Sequence, residues 1–264
     1  MKLKTAKMLA KVDQGIGWIT FNQPEKRNAI SLSMWEALGT ILEGFNNDPE
    51  VRVVVMKGAG GKAFVSGADI SEFEARRSNA WQRAEYGEVA AAANRGLATI
   101  DKPLIAMIQG YCIGGGLATA LNADVRFATP DSTFGIPAAR LGLGYEMSGL
   151  RALVSLVGPS NASDIMISAR YFEAIEAQQM GLVNFVVKAE QIHSEVIQYA
   201  QKIVSNAPMT IRAARQALRE IQKPEQLQSP ERIQKLIDDC FNSKDYQEGR
   251  AAFREKRLPL FIGE

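Results

Sequence analysis

Short apolar runs recur along the chain: Ile16 to Phe21, Val51 to Met56, Leu104 to Ile108, Val125 to Ala128 and Asn184 to Val187. Most are separated by segments of helical period, and that alternation predicts an α/β architecture with largely parallel strands. Helix starts are signposted by Ser31-Leu32-Ser33 ahead of Met34 to Leu38, and by Ser229-Pro230-Glu231 ahead of Arg232 to Cys240. Each places a capping hydroxyl before an amphipathic run. Pro24, Pro103, Pro137 and Pro208 punctuate the links. From Lys188 onward helix follows helix without a strand signal, so the pattern divides the chain into an α/β core over 1–187 and a helical C-terminal subdomain over 188–264. No internal repeat or low-complexity segment interrupts it.

Composition narrows the class. The 264 residues, 46% apolar and 23% charged, suit one large domain or a domain plus a helical appendage, folding without staples. The 31 basic and 29 acidic residues are interspersed, so no block reads as a nucleic-acid footprint, although a local basic cluster can still take a phosphate. Cys112 and Cys240 lie far apart without metal-site or redox spacing, which fits two buried free thiols in a reducing compartment. No apolar stretch has signal-peptide or membrane-span length, so a soluble, cytoplasmic protein is expected. The single histidine, His193, falls beside the helical stripe Ile192, Val196, Tyr199, Ala200 and Ile203, as a solvated helix residue would. A Ser-His-Asp triad and a histidine metal site are both without support, and no metal is expected.

Two glycine clusters stand where an apolar run gives way to a helical pattern. The first runs from Gly58 through Lys62 to Ile70; a phosphate loop would need glycine at Met56 and Ser or Thr at Ala63, so that reading fails. The second, Gly110 to Ala118, holds three consecutive glycines, Gly114 to Gly116, opening a helix. Such an opening lets a ligand approach N–H groups that the helix cannot satisfy itself, but it lacks the spacing of a dinucleotide fingerprint.

At this point the pattern resembles the crotonase (enoyl-CoA hydratase/isomerase) superfamily. Ser66-Gly67-Ala68-Asp69-Ile70, the Gly110 to Gly116 loop, the Asp124 strand, Phe134-Gly135-Ile136-Pro137, Leu141-Gly142, Gly181-Leu182-Val183-Asn184 and Phe253 to Pro259 follow that family's order and spacing over nearly the whole chain. The resemblance implies a spiral of ββα units with C-terminal helices that assemble a homotrimer or homohexamer, an acyl-CoA substrate, and no cofactor beyond its coenzyme A moiety. It implies an oxyanion hole for a thioester enolate, with the backbone N–H groups of Ala68 and Gly115 as donors. Physical chemistry agrees, because a helix N-terminus at Gly115 favours a developing negative oxygen. By the same resemblance, Lys26 or Arg27 would lie near the coenzyme phosphates, Ser66 near its adenine, and Phe253 with Lys256 would reach in from the C-terminal helix.

The sequence departs from the family at the two glutamates an ordinary hydratase uses, which here are Ala118 and Ala138. Neither alanine can transfer a proton, which argues against two-carboxylate hydration. Glu146 falls where dienoyl-CoA isomerases and 4-chlorobenzoyl-CoA dehalogenase carry a catalytic aspartate. Tyr145 falls where methylmalonyl-CoA decarboxylase has an active-site tyrosine. The resemblance to that decarboxylase is partial, since its histidine near the first oxyanion donor is Ala68 here. Glu146 sits among glycines and apolar residues, surroundings that would raise its pKa if it is buried. The resulting expectation is enolate chemistry using Glu146 and Tyr145, with isomerisation, decarboxylation and thioester hydrolysis all open. Atypical hydration and a non-catalytic coenzyme A-binding scaffold remain as alternatives.

Overall fold

The computed structural model describes residues 3–72, 80–145 and 147–264. A strand that the five apolar runs did not include, β1 (Met8–Asp13), joins the strands those runs become, β2 (Ile16–Phe21), β3 (Val53–Gly58), β5 (Leu104–Ile108), β7 (Val125–Ala128) and β10 (Phe185–Val186), in a six-stranded sheet hydrogen-bonded in the order β1-β2-β3-β5-β7-β10. Only the β1–β2 hairpin is antiparallel; from β2 onward each pair is parallel. Parallel strands covered on both faces read as unbroken apolar runs, and every residue of Leu104–Ile108 is buried.

A second sheet is built from shorter strands, β4 (Ala63–Val65), β6 (Tyr111–Ile113), β8 (Thr133–Gly135) and β9 (Phe172–Glu173), in that order. The chain therefore steps repeatedly from the large sheet to the small one, β3 to β4, β5 to β6 and β7 to β8. Helices intervene: α1 (Leu32–Asn47), α2 (Ala80–Thr99), α3 (Gly115–Ala120), α4 (Met147–Ser168, broken at Gly158) and α5 (Ala174–Gln179). This is the expected spiral of strand–strand–helix units.

Period-2 alternation in the large sheet divides the core. Val54, Met56, Ala106 and Ile108 pack with Leu38, Ile41 and Leu42 of α1. Val53, Val55, Ile105 and Met107 face the other way, against Ile192, Val196 and Ala200 of α6 (Ile192–Val204). Thus the first helix beyond residue 188 covers a face of the sheet, and its buried side is the apolar stripe read from sequence. His193 is exposed beside that stripe and stacks on Trp18, ring centroids 5.4 Å apart.

Three further helices follow, α7 (Pro208–Ile221), α8 (Pro230–Phe241) and α9 (Lys244–Glu255). Arg215 of α7 ties this region to the core through Asp124 at 2.6 Å. Two local expectations are corrected. Ser31 and Ser229 do precede their helices, but neither hydroxyl caps them; Glu72 accepts the Leu32 N–H at 2.8 Å instead. Cys112 is a buried free thiol as expected, whereas Cys240 is only half-buried because α8 buries no residue fully.

Candidate active site

The site forms where the two sheets' connections meet. A parallel bridge pairs Ile30 with Ala68: the Ile30 N–H donates to the Gly67 carbonyl at 2.8 Å and the Asp69 N–H donates to the Ile30 carbonyl at 2.9 Å. In this pairing the flanking residues make the bonds, so the Ala68 N–H is turned away from Ile30. Opposite it, the Gly114 N–H is held by the Gly135 carbonyl at 2.8 Å, and Gly114 adopts φ +55°. That turn starts α3, whose first bond joins the Ala118 N–H to the Gly114 carbonyl. The amide of Gly115 is thereby a first-turn donor without a helical acceptor.

The consecutive glycines serve different ends. A Cβ on Gly116 would lie 2.1 Å from the Val65 carbonyl oxygen, so glycine is required for α3 to pack on β4. A Cβ on Gly115 would meet nothing closer than the Ala68 nitrogen, at 3.8 Å. Glycine there is not demanded by packing; it keeps open the space between two backbone amides. No acceptor among the described residues is paired with either N–H.

These amides border a cavity of about 460 Å3. Its wall includes Trp35, Ile113, Ile136, Ala138, Leu143 and Tyr145 beside Ser66, Ala68 and Gly115. Ala138 is buried and presents a methyl group to the wall, whereas half-buried Ala118 is not part of it. Burial pushes the Tyr145 hydroxyl above its ordinary pKa, which keeps it a protonated donor at neutral pH. Glu146 lies outside the described residues.

Of the predicted coenzyme residues, three come together. The Ser66 N–H donates to the Arg27 carbonyl at 3.1 Å, and the Ser66 hydroxyl donates to the Lys26 carbonyl at 3.4 Å. The Lys26 ammonium is already engaged, 2.8 Å from Asp69 and 2.8 Å from the Ser71 hydroxyl. Burial alone would raise the Asp69 pKa, but Lys26, Ser71 and Gln23 together outweigh it and hold the carboxyl at about 2. Arg27 is exposed, its guanidinium 4.7 Å from the Tyr111 ring centroid. Phe253 and Lys256 are not part of this cavity: Phe253, 87% exposed, borders a different one among α7, α8 and α9, and Lys256 caps the end of α9. No group of acidic, histidine or cysteine side chains that could hold a metal occurs among the described residues.

The model of the Enoyl-CoA hydratase/isomerase family matches residues 11–264. The chain belongs to this family. Among relatives, the family's short-chain-enoyl-CoA hydratase of Clostridium acetobutylicum is 32% identical, covering 90% of this chain and 91% of its own length. Crotonyl-CoA hydratase of Syntrophomonas wolfei is 30% identical over 96% of each chain. Of solved structures in the family, an enoyl-CoA hydratase/carnithine racemase from Magnetospirillum magneticum superposes with a TM-score of 0.92 at 33% identity, covering 99% of this chain and 97% of that one. Enoyl-CoA hydratase from Bacillus anthracis does so with a TM-score of 0.91 at 30% identity, covering 98% and 100%.

Site residues that the sequence reading passed over include Trp35, hidden within the apolar stripe of α1, and Arg140 and Tyr171, which share the cavity wall. Arg140 stood in plain view two residues after Ala138. Tyr171, a remote aromatic beside β9, offered no sequence signal for the cavity.

Proposed function

We propose that this family member binds an acyl-CoA thioester with its carbonyl oxygen between the N–H groups of Ala68 and Gly115, stabilises the enolate, and moves a proton with Tyr145 and Glu146. The observation that carries the reading is the pair of backbone amides at Ala68 and Gly115, neither paired with an acceptor among the described residues and both on the wall of one cavity. Preorganised donors of this kind act where charge develops and need no reorganisation during the reaction. Alanine at 118 and 138 favours isomerisation, decarboxylation or thioester hydrolysis over two-carboxylate hydration. A protonated Tyr145 suits proton return to an enolate carbon, the step that isomerisation and decarboxylation share. Hydration by an atypical mechanism is the second reading, favoured by the hydratase names of the relatives.

Lys26, Arg27 and Ser66 would hold the nucleotide end of the coenzyme, Arg27 carrying a cation that no carboxylate among the described residues pairs and Lys26 competing with Asp69. Phe253 and Lys256 enter through assembly: the exposure of Phe253 supports presentation of α9 to a neighbouring copy in a homotrimer or homohexamer. The reading requires no cofactor beyond the coenzyme A of its substrate.

The test is a panel of acyl-CoA thioesters, watched together for enone absorbance, free thiol and carbon dioxide. Tyr145→Phe should lower turnover of the best substrate by ~10²–10⁴ with its affinity retained. Unchanged turnover would remove Tyr145 from the mechanism, and no turnover of any thioester would bring the scaffold reading forward.

A further inference from the structure

Resting on the acyl-CoA reading, we propose that the acyl group carries a carboxylate of its own, retained through the reaction and held by Arg140. Among the described residues bordering the cavity, Arg140 is the one with a formal charge. Its guanidinium lies 5.1 Å from the ring centroid of Tyr171, which borders the same cavity. The ring is laid in place by Gly135, where a Cβ would fall 2.7 Å from Tyr171 Cδ1. A cation seated on an aromatic face keeps its edge N–H groups free for an anion.

No carboxylate of the described residues pairs with Arg140. The acids near Tyr171 are already taken: the adjacent Arg170 binds Asp164 at 2.6 Å and also pairs with Glu176. Ala138, where the family resemblance would place a glutamate, contributes a methyl group and no charge to the same wall. The described wall thus carries one guanidinium, itself exposed, that no described carboxylate pairs, and a fully aliphatic acyl chain laid beside it would make no use of its charge. A planar carboxylate matches the guanidinium fork. The substrate class is therefore the CoA thioester of a short dicarboxylic acid.

Glutaryl-CoA and pentanoyl-CoA differ by a carboxylate in place of a methyl group, and calorimetric titration of the intact protein with each reads Arg140 directly. The unsubstituted protein should bind glutaryl-CoA roughly tenfold or more tightly, as expected for a hydrogen bond between charged groups. Arg140→Gln should erase that preference while leaving pentanoyl-CoA within about twofold, a margin within the scatter of exposed-charge effects. Its thermal midpoint serves as the folding control. Equal affinities in the unsubstituted protein overturn the inference and leave the acyl-CoA reading standing. Equal weakening of both ligands in Arg140→Gln also overturns it, assigning the guanidinium to the coenzyme phosphates they share. Failure of both thioesters to bind overturns the underlying reading as well.

Discussion

Gly115 and Gly116 are chemically identical neighbours under different constraints, so alanine at each separates packing from chemistry. At Gly116 the new methyl would meet the rigid Val65 carbonyl at 2.1 Å. Gly116→Ala should destabilise the fold by roughly 1–3 kcal/mol or more, read as a fall in thermal midpoint. At Gly115 the methyl finds only ordinary contacts, beginning 3.8 Å away, and the residue already lies in a helix. Gly115→Ala should keep the thermal midpoint yet lower kcat/KM by ~10²–10³, the effect of losing access to one oxyanion donor. Equal activity in Gly115→Ala and the parent would mean that no substrate oxygen occupies this space.

Between elements, the 3-10 turn over Pro24–Lys26 is pinned to the segment after β4 by one buried carboxylate. Asp69 accepts from Lys26, Ser71 and Gln23 and is held at about 2, below its ordinary 3.8. Because the folded pKa is depressed, the contribution to stability is fully present above about pH 4 and is lost as pH falls through 2. Lys26→Met takes away the strongest partner and leaves burial opposing the charge, so the Asp69 pKa should rise. Acid titration followed by far-UV circular dichroism should then show unfolding beginning at higher pH than in the parent. Coincident acid transitions would mean that Ser71 and Gln23 hold the carboxylate unaided.

For the molecule as a whole, ligand binding and assembly are the coupled observables. A ligand bound only by the folded state at about 100 times its dissociation constant adds roughly 2.7 kcal/mol of stability, so a suitable acyl-CoA should raise the thermal midpoint. The absence of a shift across the panel would undermine the acyl-CoA reading. The C-terminal region exposes Phe253 and Leu258, each at 87%, with Leu218, Ile221 and Phe241 also outside the core. Large apolar surface left open this way marks an association face. Sedimentation equilibrium should give three or six copies, and Leu258→Glu should shift the population towards the monomer; a monomeric parent would refute the assembly.

How far the fold could be read from residues depended on how local its causes are. Ile16 to Phe21, Leu104 to Ile108 and Val125 to Ala128 were legible to their exact ends as strands, because burial on both faces favours apolar side chains, Arg126 being buried only by donating to the Ala123 and Leu182 carbonyls. The strands β4, β6, β8 and β9 span two or three residues each, too few to show a period, and they exist only because they pair with one another. β1 was obscured by Lys11 and Asp13 on its exposed positions. The glycine loops and the alanines at 118 and 138 were visible as residue types, which was enough to place the chain near its family and to question two-carboxylate chemistry. Residue types carry no direction for a backbone N–H. The Ile30–Ala68 bridge and the Gly114 turn set that direction, through contacts between segments far apart in the chain. The same holds for charge: sequence shows an arginine at 140, but its seat on Tyr171, its place in the cavity wall and its lack of a carboxylate partner among the described residues arise only when distant elements pack together.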